Sequence, residues 1–458
     1  MRSRSQAVLV PIVLLLASCG QFENVHERSL AGSSEGGQGF AGTTTDGGLS
    51  APGTTDGPFE PSGSSAIGPG TSSTGTVGGA GPSVSSTSAA YTGDIGVTKD
   101  SITLGFIYPR SGPYQALTTE FEYAVRMGMQ AINDAGGIHG RTLQPVFADD
   151  GHNNASTALA SAKSIKDRAF GMSTFGLLAG SVVSPYADEQ RIPMIVGNVD
   201  RATVLNLEYV FPFSTYLETS VGILPSFIVN RLKKGDEKIA VLYQTTPQIA
   251  VLREHFRVAA RPFGLDIVLE QPIEESPSTC TNQMSNIEDS EAKVVVIFTA
   301  PVPAIRCLLD ARTLGYQPTW TGVGPSFNFE ITNTGSGGLT NGIEMLGNSH
   351  TLERAAGKKY RAQAEKYYPD RGALPDDDLA FMMWGIINTW AEGLRRAGPN
   401  LTRDSWVRAM ETFRGYTGGQ FAPATFGRGD RSGANRTIVT KCVDGNWVTV
   451  DATWRTKY

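Results

Sequence analysis

A short apolar strand followed by an amphipathic helix recurs along this chain, and the series runs twice. Ile102-Thr-Leu-Gly-Phe-Ile-Tyr108 is a β-rich run closed by the loop PRSGPYQ. Phe121, Ala124, Val125, Gly128, Ala131, Ile132 and Ala135 then share one helical face, which stops at Gly136-Gly137. TLQPVFADD predicts a strand and the stretch from Ala155, with Leu159, Ala162 and Ile165, a helix. GMSTFGLLAG, SPYADEQ and IPMIVG repeat the alternation. After FPFSTYLETS it restarts with a helix from Val221 to Leu232, a strand from Lys238 to Tyr243 and a helix from Val251 to Ala260. Strands follow at Asp266 to Glu270 and, more apolar, at Lys293 to Thr299, then a helix from Ile305 to Leu314 and a strand near Trp320. Such alternation predicts α/β architecture, with parallel sheets covered on both faces. Two successive units of similar size predict two lobes.

The later chain adds two signals. Asp376-Asp377-Asp378 precedes LAFMMWGIINTWAEGLRRAG, an acidic start, a long apolar helix and a basic last turn, the order the helix dipole favours. TIVTKCVD and NWVTVDATW are alternating runs joined by Asp444-Gly445, a hairpin signal.

Composition divides the 458 residues sharply. From Gly20 to about Thr92 the chain is nearly all Gly, Ser, Thr, Pro and Ala. That stretch has too little apolar surface to offset the entropy of ordering it, so it is expected to act as a tether with a reach on the order of 50 Å. Gly37 to Gly42 matches GxGxxG, but neither a strand before it nor a helix after it gives the match the context a nucleotide site requires. From about Gly96 the composition is globular, and the remaining length exceeds what a single core usually holds. A net charge of −5 offers no basic field for nucleic acid.

Arg2 and Arg4 precede an apolar run from Ala7 to Ala17 that ends in Leu16-Ala17-Ser18-Cys19. The run is short of the roughly 20 residues a spanning helix needs and has the layout of a secretory signal. Leu16 to Cys19 resembles the bacterial lipobox. That resemblance implies a signal peptide at 1–18 and a Cys19 that carries a diacylglycerol, whose two acyl chains suffice for stable anchoring. The expected location is extracytoplasmic, at the outer face of the cell membrane.

GVTKDSITLGFIYPRSGPYQ, AINDAGGIHGRTLQPVFADD, YADEQRIPMIVG and KIAVLY together resemble the type 1 periplasmic binding proteins, in particular the leucine/isoleucine/valine-binding branch that serves ABC importers. INDAGGIHGR carries most of the likeness, because it keeps helix end, glycine turn and arginine in order. The resemblance implies two doubly wound parallel-sheet lobes joined by a three-crossover hinge, with a small organic solute held between them and handed to a permease/ATPase complex. It implies a division into a lipidated tether at 19–95, a first lobe at 96–217 and 345–420, and a second at 218–344 and 421–458. A monomer is expected, with no cofactor and no metal. A sensing lipoprotein of the same fold, signalling through a membrane partner without transport, is the alternative.

In a doubly wound sheet ligands sit at the carboxyl ends of strands, which here are PRSGPYQ, STFGLLAG, GNVDRAT, YQTTPQ, FTAPVP and GVGPSFN. Candidate cleft residues are Tyr114, Ser173, Thr174, Asn198, Asp200, Gln248 and Ser326. Tyr114 is either a cleft aromatic or a turn residue, Asp200 either a ligand contact or a loop cap, and Gln248 either a contact or solvent-facing. Asp149 and Asp150 read as turn caps. The resemblance also implies a carboxylate-binding pair of serines near Gly176 and Leu177 and an acid between Gly322 and Phe329, and this sequence has neither. A solute other than leucine, isoleucine or valine is therefore expected.

Cys280 precedes a helix-like stretch and Cys307 lies on the helix after the Val294–Phe298 strand, so neighbouring units are expected to pair them and leave Cys442 free. His26, His139, His152, His255 and His350 are scattered, and no HExxH, GxSxG or P-loop pattern occurs. The reading is of a binder, not an enzyme.

Overall fold

A computed structural model describes residues 93–458, apart from 113, 153, 198 and 325–328. The first sheet contains β1 (Ser101–Tyr108), β2 (Thr142–Asp149), β3 (Gly171–Thr174), β4 (Met194–Val196) and β5 (Val210–Pro212), in the order β2-β1-β3-β4-β5. Every pairing is parallel. Its connections are α1 (Phe121–Asp134), α2 (Ala155–Ile165), α3 (Leu177–Glu189) and the short α4 (Arg201–Val204). Parallel neighbours need such crossovers, because a tight turn cannot return the chain to the same end of the sheet.

The second sheet repeats the plan. After α5 (Leu217–Asn230) come β6 (Ile239–Gln244), α6 (Pro247–Ala260), β7 (Ile267–Ile273), α7 (Thr281–Asp289), β8 (Val294–Phe298), α8 (Pro301–Leu314) and β9 (Thr319–Gly322). The order is β7-β6-β8-β9, again all parallel. β8 is buried along its whole length, which is why its sequence is an unbroken apolar run. α9 (Glu330–Gly335) leads to β10 (Glu344–Gly347).

The chain then returns to the first lobe through α10 (Ala355–Tyr367), α11 (Asp378–Ala397) and α12 (Arg403–Met410), and through the small β11 (Thr425–Gly427) and β12 (Asp430–Gly433). Trp384, Trp390 and Trp406 are buried in the core that α1 and α11 share. Asp377 caps α11 by accepting the Ala380 N–H at 2.8 Å. Finally β13 (Thr437–Val443) and β14 (Asn446–Arg455) form an antiparallel hairpin that pairs with β10 in the second lobe. The sequence division starts the last part of the second lobe at 421, whereas Phe421, Ala422, Ala424, Phe426 and Ala434 lie in the first lobe's core.

The chain thus passes between the two cores three times, after β5, after β10 and after β12. The crossing segments are tied together. Thr215 pairs with Ala434 and Ser349 with Phe421, the Thr215 hydroxyl donates to the Arg436 carbonyl at 2.7 Å, and the Tyr216 hydroxyl to the Arg431 carbonyl at 2.6 Å. Among the described residues, no helix is long and apolar enough to cross a membrane, and no group of His, Cys, Asp and Glu is placed to hold a metal ion. Cys280 and Cys307 form a disulfide with their Cα atoms 4.9 Å apart, and Cys442 is a buried free thiol. Cys19 lies outside the described residues.

Candidate functional site

The carboxyl ends of both sheets open on one cleft, which encloses about 150 Å³. The first lobe supplies Pro109 after β1, Asp150 and His152 after β2, and Phe175 to Leu177 at the start of α3. The second supplies Gln244 at the end of β6, Thr246 and Gln248 beyond it, Glu275 after β7, and Thr299 to Pro301 after β8. In both sheets the chain leaves neighbouring central strands in opposite directions here, and that divergence opens a crevice at the strand ends. Phe329 and Leu379 close the remaining side.

Most of the wall is apolar. Phe121 and Phe175 meet edge to face with ring centroids 4.8 Å apart, and Tyr114 lies flat on His152 with centroids 4.1 Å apart. The polar groups are few. His152 Nε2 stands 3.5 Å from Glu275 Oε1, joining the two lobes across the cleft. Asp150 is 2% exposed, and its Oδ1 accepts the His152 N–H at 2.9 Å. Burial pushes the Asp150 carboxyl up to about 6, and the neighbouring Asp149 adds to the rise. The Tyr114 hydroxyl and the Thr299 hydroxyl are buried without a partner among the described residues. Burial, with Glu275 nearby, holds the Tyr114 hydroxyl strongly protonated.

The sequence candidates separate into three groups. Tyr114 and Gln248 line the cleft. Asn198 and Ser326 lie outside the described residues. Ser173, Thr174 and Asp200 do not line it. The Ser173 hydroxyl accepts the indole N–H of Trp390 at 2.8 Å and so ties β3 to α11, while Thr174 is buried in β3. Asp200 caps α4, accepting the Thr203 N–H at 2.7 Å and its hydroxyl at 2.6 Å, with the Ser181 hydroxyl at 3.2 Å. Its lone pairs are engaged in its own lobe. Asp149 and Asp150 both cap turns, Asp149 by accepting the Arg110 and Gly151 N–H groups at 2.8 and 3.0 Å.

Nothing in the sequence singles out His152 or Glu275 as cleft residues, and Asp150 reads there only as a turn cap. No local pattern marks Glu275, which lies more than a hundred residues from its histidine partner. The usable signal was positional, since all three residues follow the ends of β2 and β7.

Two doubly wound lobes, three crossings and a cleft at the facing strand ends define a two-lobed binding protein. Residues 101–446 match the family described as periplasmic binding protein, and the chain belongs to that family. Among curated proteins it is similar to Leu/Ile/Val-binding protein homolog 7 of Brucella suis, 25% identical over 241 residues, which is 50% of this chain and 60% of that protein. Homolog 8 from the same organism is 26% identical over 251 residues, 52% of this chain and 61% of that one. The chain thus spans about 60% of the length of these relatives.

Solved structures show the same fold. A fatty acid ABC transporter substrate-binding protein from Thermomonospora curvata superposes with a TM-score of 0.69 at 20% identity, covering 78% of this chain and 92% of its own. A branched chain amino acid ABC transporter protein from Thermus thermophilus, with bound valine, gives 0.68 at 19% identity over 77% and 96%. A solute binding protein from R. palustris in complex with benzoate gives 0.66 at 17% over 77% and 96%.

Proposed function

We propose that this chain is the solute-binding component of an ABC importer, which captures a small organic molecule between its lobes and delivers it to a permease/ATPase complex. The observation that carries the reading is the cleft itself. Both sheets turn their carboxyl ends toward it, and both contribute apolar walls with a few polar groups, the usual make-up of a small-molecule site. The relatives named above, described as binding or transport proteins, support the same class of work. No catalytic residue is assigned. The protein acts as a monomer on the outer side of the membrane, with Cys19 acylated and the Gly/Ser/Thr-rich segment to residue 95 as the link between lipid and lobes. Tyr114 and Gln248 contact the solute from opposite lobes.

A thermal-shift screen of amino acids, amides, carboxylates, amines and aromatic compounds tests this, because a ligand that binds only the folded state raises its apparent stability. At least one solute is expected to raise the melting temperature and to lower the radius of gyration as the lobes close. A screen in which no solute does either refutes the reading. For the anchor, metabolic labelling with a palmitate analogue is expected to mark the wild-type chain and not Cys19→Ala. Label retained by the variant places the lipid elsewhere.

A further inference from the structure

The charge of the cleft narrows its ligand. Among the described lining residues there is no lysine or arginine, the basic side chain is His152, already beside Glu275 at 3.5 Å, and the ionisable carboxyl groups are Asp150 and Glu275. A dry cleft that takes an anion must supply compensating charge or several donors, because an unpaired buried charge is costly. The usual donors in this architecture are helix N-termini, and here they are depleted. α6 begins at Pro247 and α8 carries prolines at 301 and 303, so three first-turn N–H groups do not exist. The Ala300 N–H, which would open α8, is taken by Gln244 Oε1 at 3.0 Å. At the start of α3 a carboxylate already sits beside the backbone: a Cβ on Gly176 would lie 2.9 Å from Asp150 Oδ2. An anion entering there meets like charge.

The same surfaces suit a cation. Glu275 and Asp150 reach the cleft from opposite lobes. Thr299, 2% exposed, lines it, and its buried hydroxyl has no partner among the described residues and can accept a hydrogen bond. The remaining wall is aromatic and aliphatic, and aromatic faces attract ammonium groups once water is excluded. A volume of about 150 Å³ compares with an apolar cavity able to admit benzene.

We infer that the cleft selects an apolar solute bearing a protonated amine and no carboxylate, with the ammonium held by Glu275 and Asp150 and the body packed against Phe121, Phe175 and Phe298. This assignment rests on the reading of the cleft as a solute site and adds its charge preference.

The test is calorimetry on the full-length chain with three probes of one shape: 2-phenylethylamine, 2-phenylethanol and phenylacetate. The amine is expected to bind about tenfold more tightly than the alcohol and about a hundredfold more tightly than the acid, as expected when one charge is paired and the other repelled. Glu275→Gln, at a side chain that is 25% exposed and so tolerant of change, is expected to lower the amine-to-alcohol affinity ratio about tenfold, a ratio in which any effect of losing the His152 contact on lobe closure cancels. Asp150→Asn provides the same comparison from the other lobe. Phenylacetate binding as tightly as the amine, or an amine preference unchanged in both variants, overturns the assignment and leaves solute binding standing. No binding by any of the three, alongside a positive solute from the broad screen, overturns the assignment alone. A broad screen with no positive overturns both.

Discussion

His152 bridges the two lobes, with its Nε2 3.5 Å from Glu275 Oε1 on the far side of the cleft while its ring stacks on Tyr114 at 4.1 Å. Both side chains are largely shielded, at 12% and 25% exposed. A partly exposed polar pair of this kind contributes up to about 1 kcal/mol, whereas the stack on Tyr114 lies within the first lobe and serves to hold the ring in place. The bridge thus biases the lobe arrangement by up to about fivefold, since 1.4 kcal/mol is a factor of ten. His152→Ala is therefore expected to shift the ligand-free protein toward a more open ensemble, with a larger radius of gyration in solution scattering and little change in unfolding midpoint. Scattering identical to wild type would show that the bridge does not restrain the lobes.

Asp150 makes stability depend on pH in a direction that can be stated. Its carboxyl is pushed up to about 6, chiefly by burial, against the lowering effect of the His152 N–H and ring. An acid with a raised folded pKa binds its proton more tightly in the folded chain. Its contribution is thus fully favourable below about pH 4 and is lost as pH rises through about 6. Asp150→Asn keeps an oxygen for the His152 N–H and removes the titration. The variant is expected to be more stable than wild type at pH 8, by on the order of 2 kcal/mol, and equal to it near pH 4. Chemical denaturation at the two pH values measures the difference, and a variant less stable at pH 8 would contradict the burial argument.

The sequence made some elements easy to read and left others hidden, for local physical reasons. The stop of α1 was legible because Gly136 and Gly137 adopt φ of 97° and 69°, open to glycine at no steric cost. Asp444 and Gly445, with φ of 49° and 83°, likewise make the tight turn between β13 and β14. α8 was expected from Ile305 but starts at Pro301, because prolines in a first turn remove N–H groups that had no helical partner. α10 turns only Ala356, Gly357, Tyr360 and Ala364 inward, a stripe too thin to stand out. The cleft was legible as a set of loops, since strand ends locate it. Its chemistry was not, because the pairing of His152 with Glu275 depends on how two separate sheets face each other.

The disulfide should stabilise the second lobe. Cys280 and Cys307 are 27 residues apart, and both are fully buried. Closing a loop of that length stabilises by about 3.5 kcal/mol in the chain-entropy model. The Cys280 N–H also donates to Asp310 at 2.6 Å, so the junction is held in place with or without the sulfur link. Cys280→Ala with Cys307→Ala is expected to lower unfolding free energy by about 3 kcal/mol while keeping the native near-ultraviolet spectrum. A loss below about 1 kcal/mol would mean that the reduced unfolded chain is already restricted.

Arg431 fixes the segment between the second and third crossings to the first lobe. Its side chain is fully buried, with one guanidinium nitrogen 3.1 Å from Glu411 and another donating to the Gly427 carbonyl at 2.6 Å. The Glu208 carbonyl accepts from it as well, and the guanidinium lies 4.2 Å from the centre of the Phe211 ring in β5. Removing one member of a buried charged network leaves the others unpaired, which costs about 3–5 kcal/mol. Arg431→Ala should reach that range, because it also strips the packing from Phe211. Arg431→Lys keeps the charge but not the planar fork, so it should recover only part of the loss. Because Tyr216 donates to the Arg431 carbonyl at 2.6 Å, the effect should extend to the first crossing. Hydrogen exchange is expected to accelerate in the alanine variant across residues 213–217 and 425–436 and to remain unchanged in β6 and β8. Acceleration confined to β11 and β12 would separate Arg431 from the crossings and limit it to local packing.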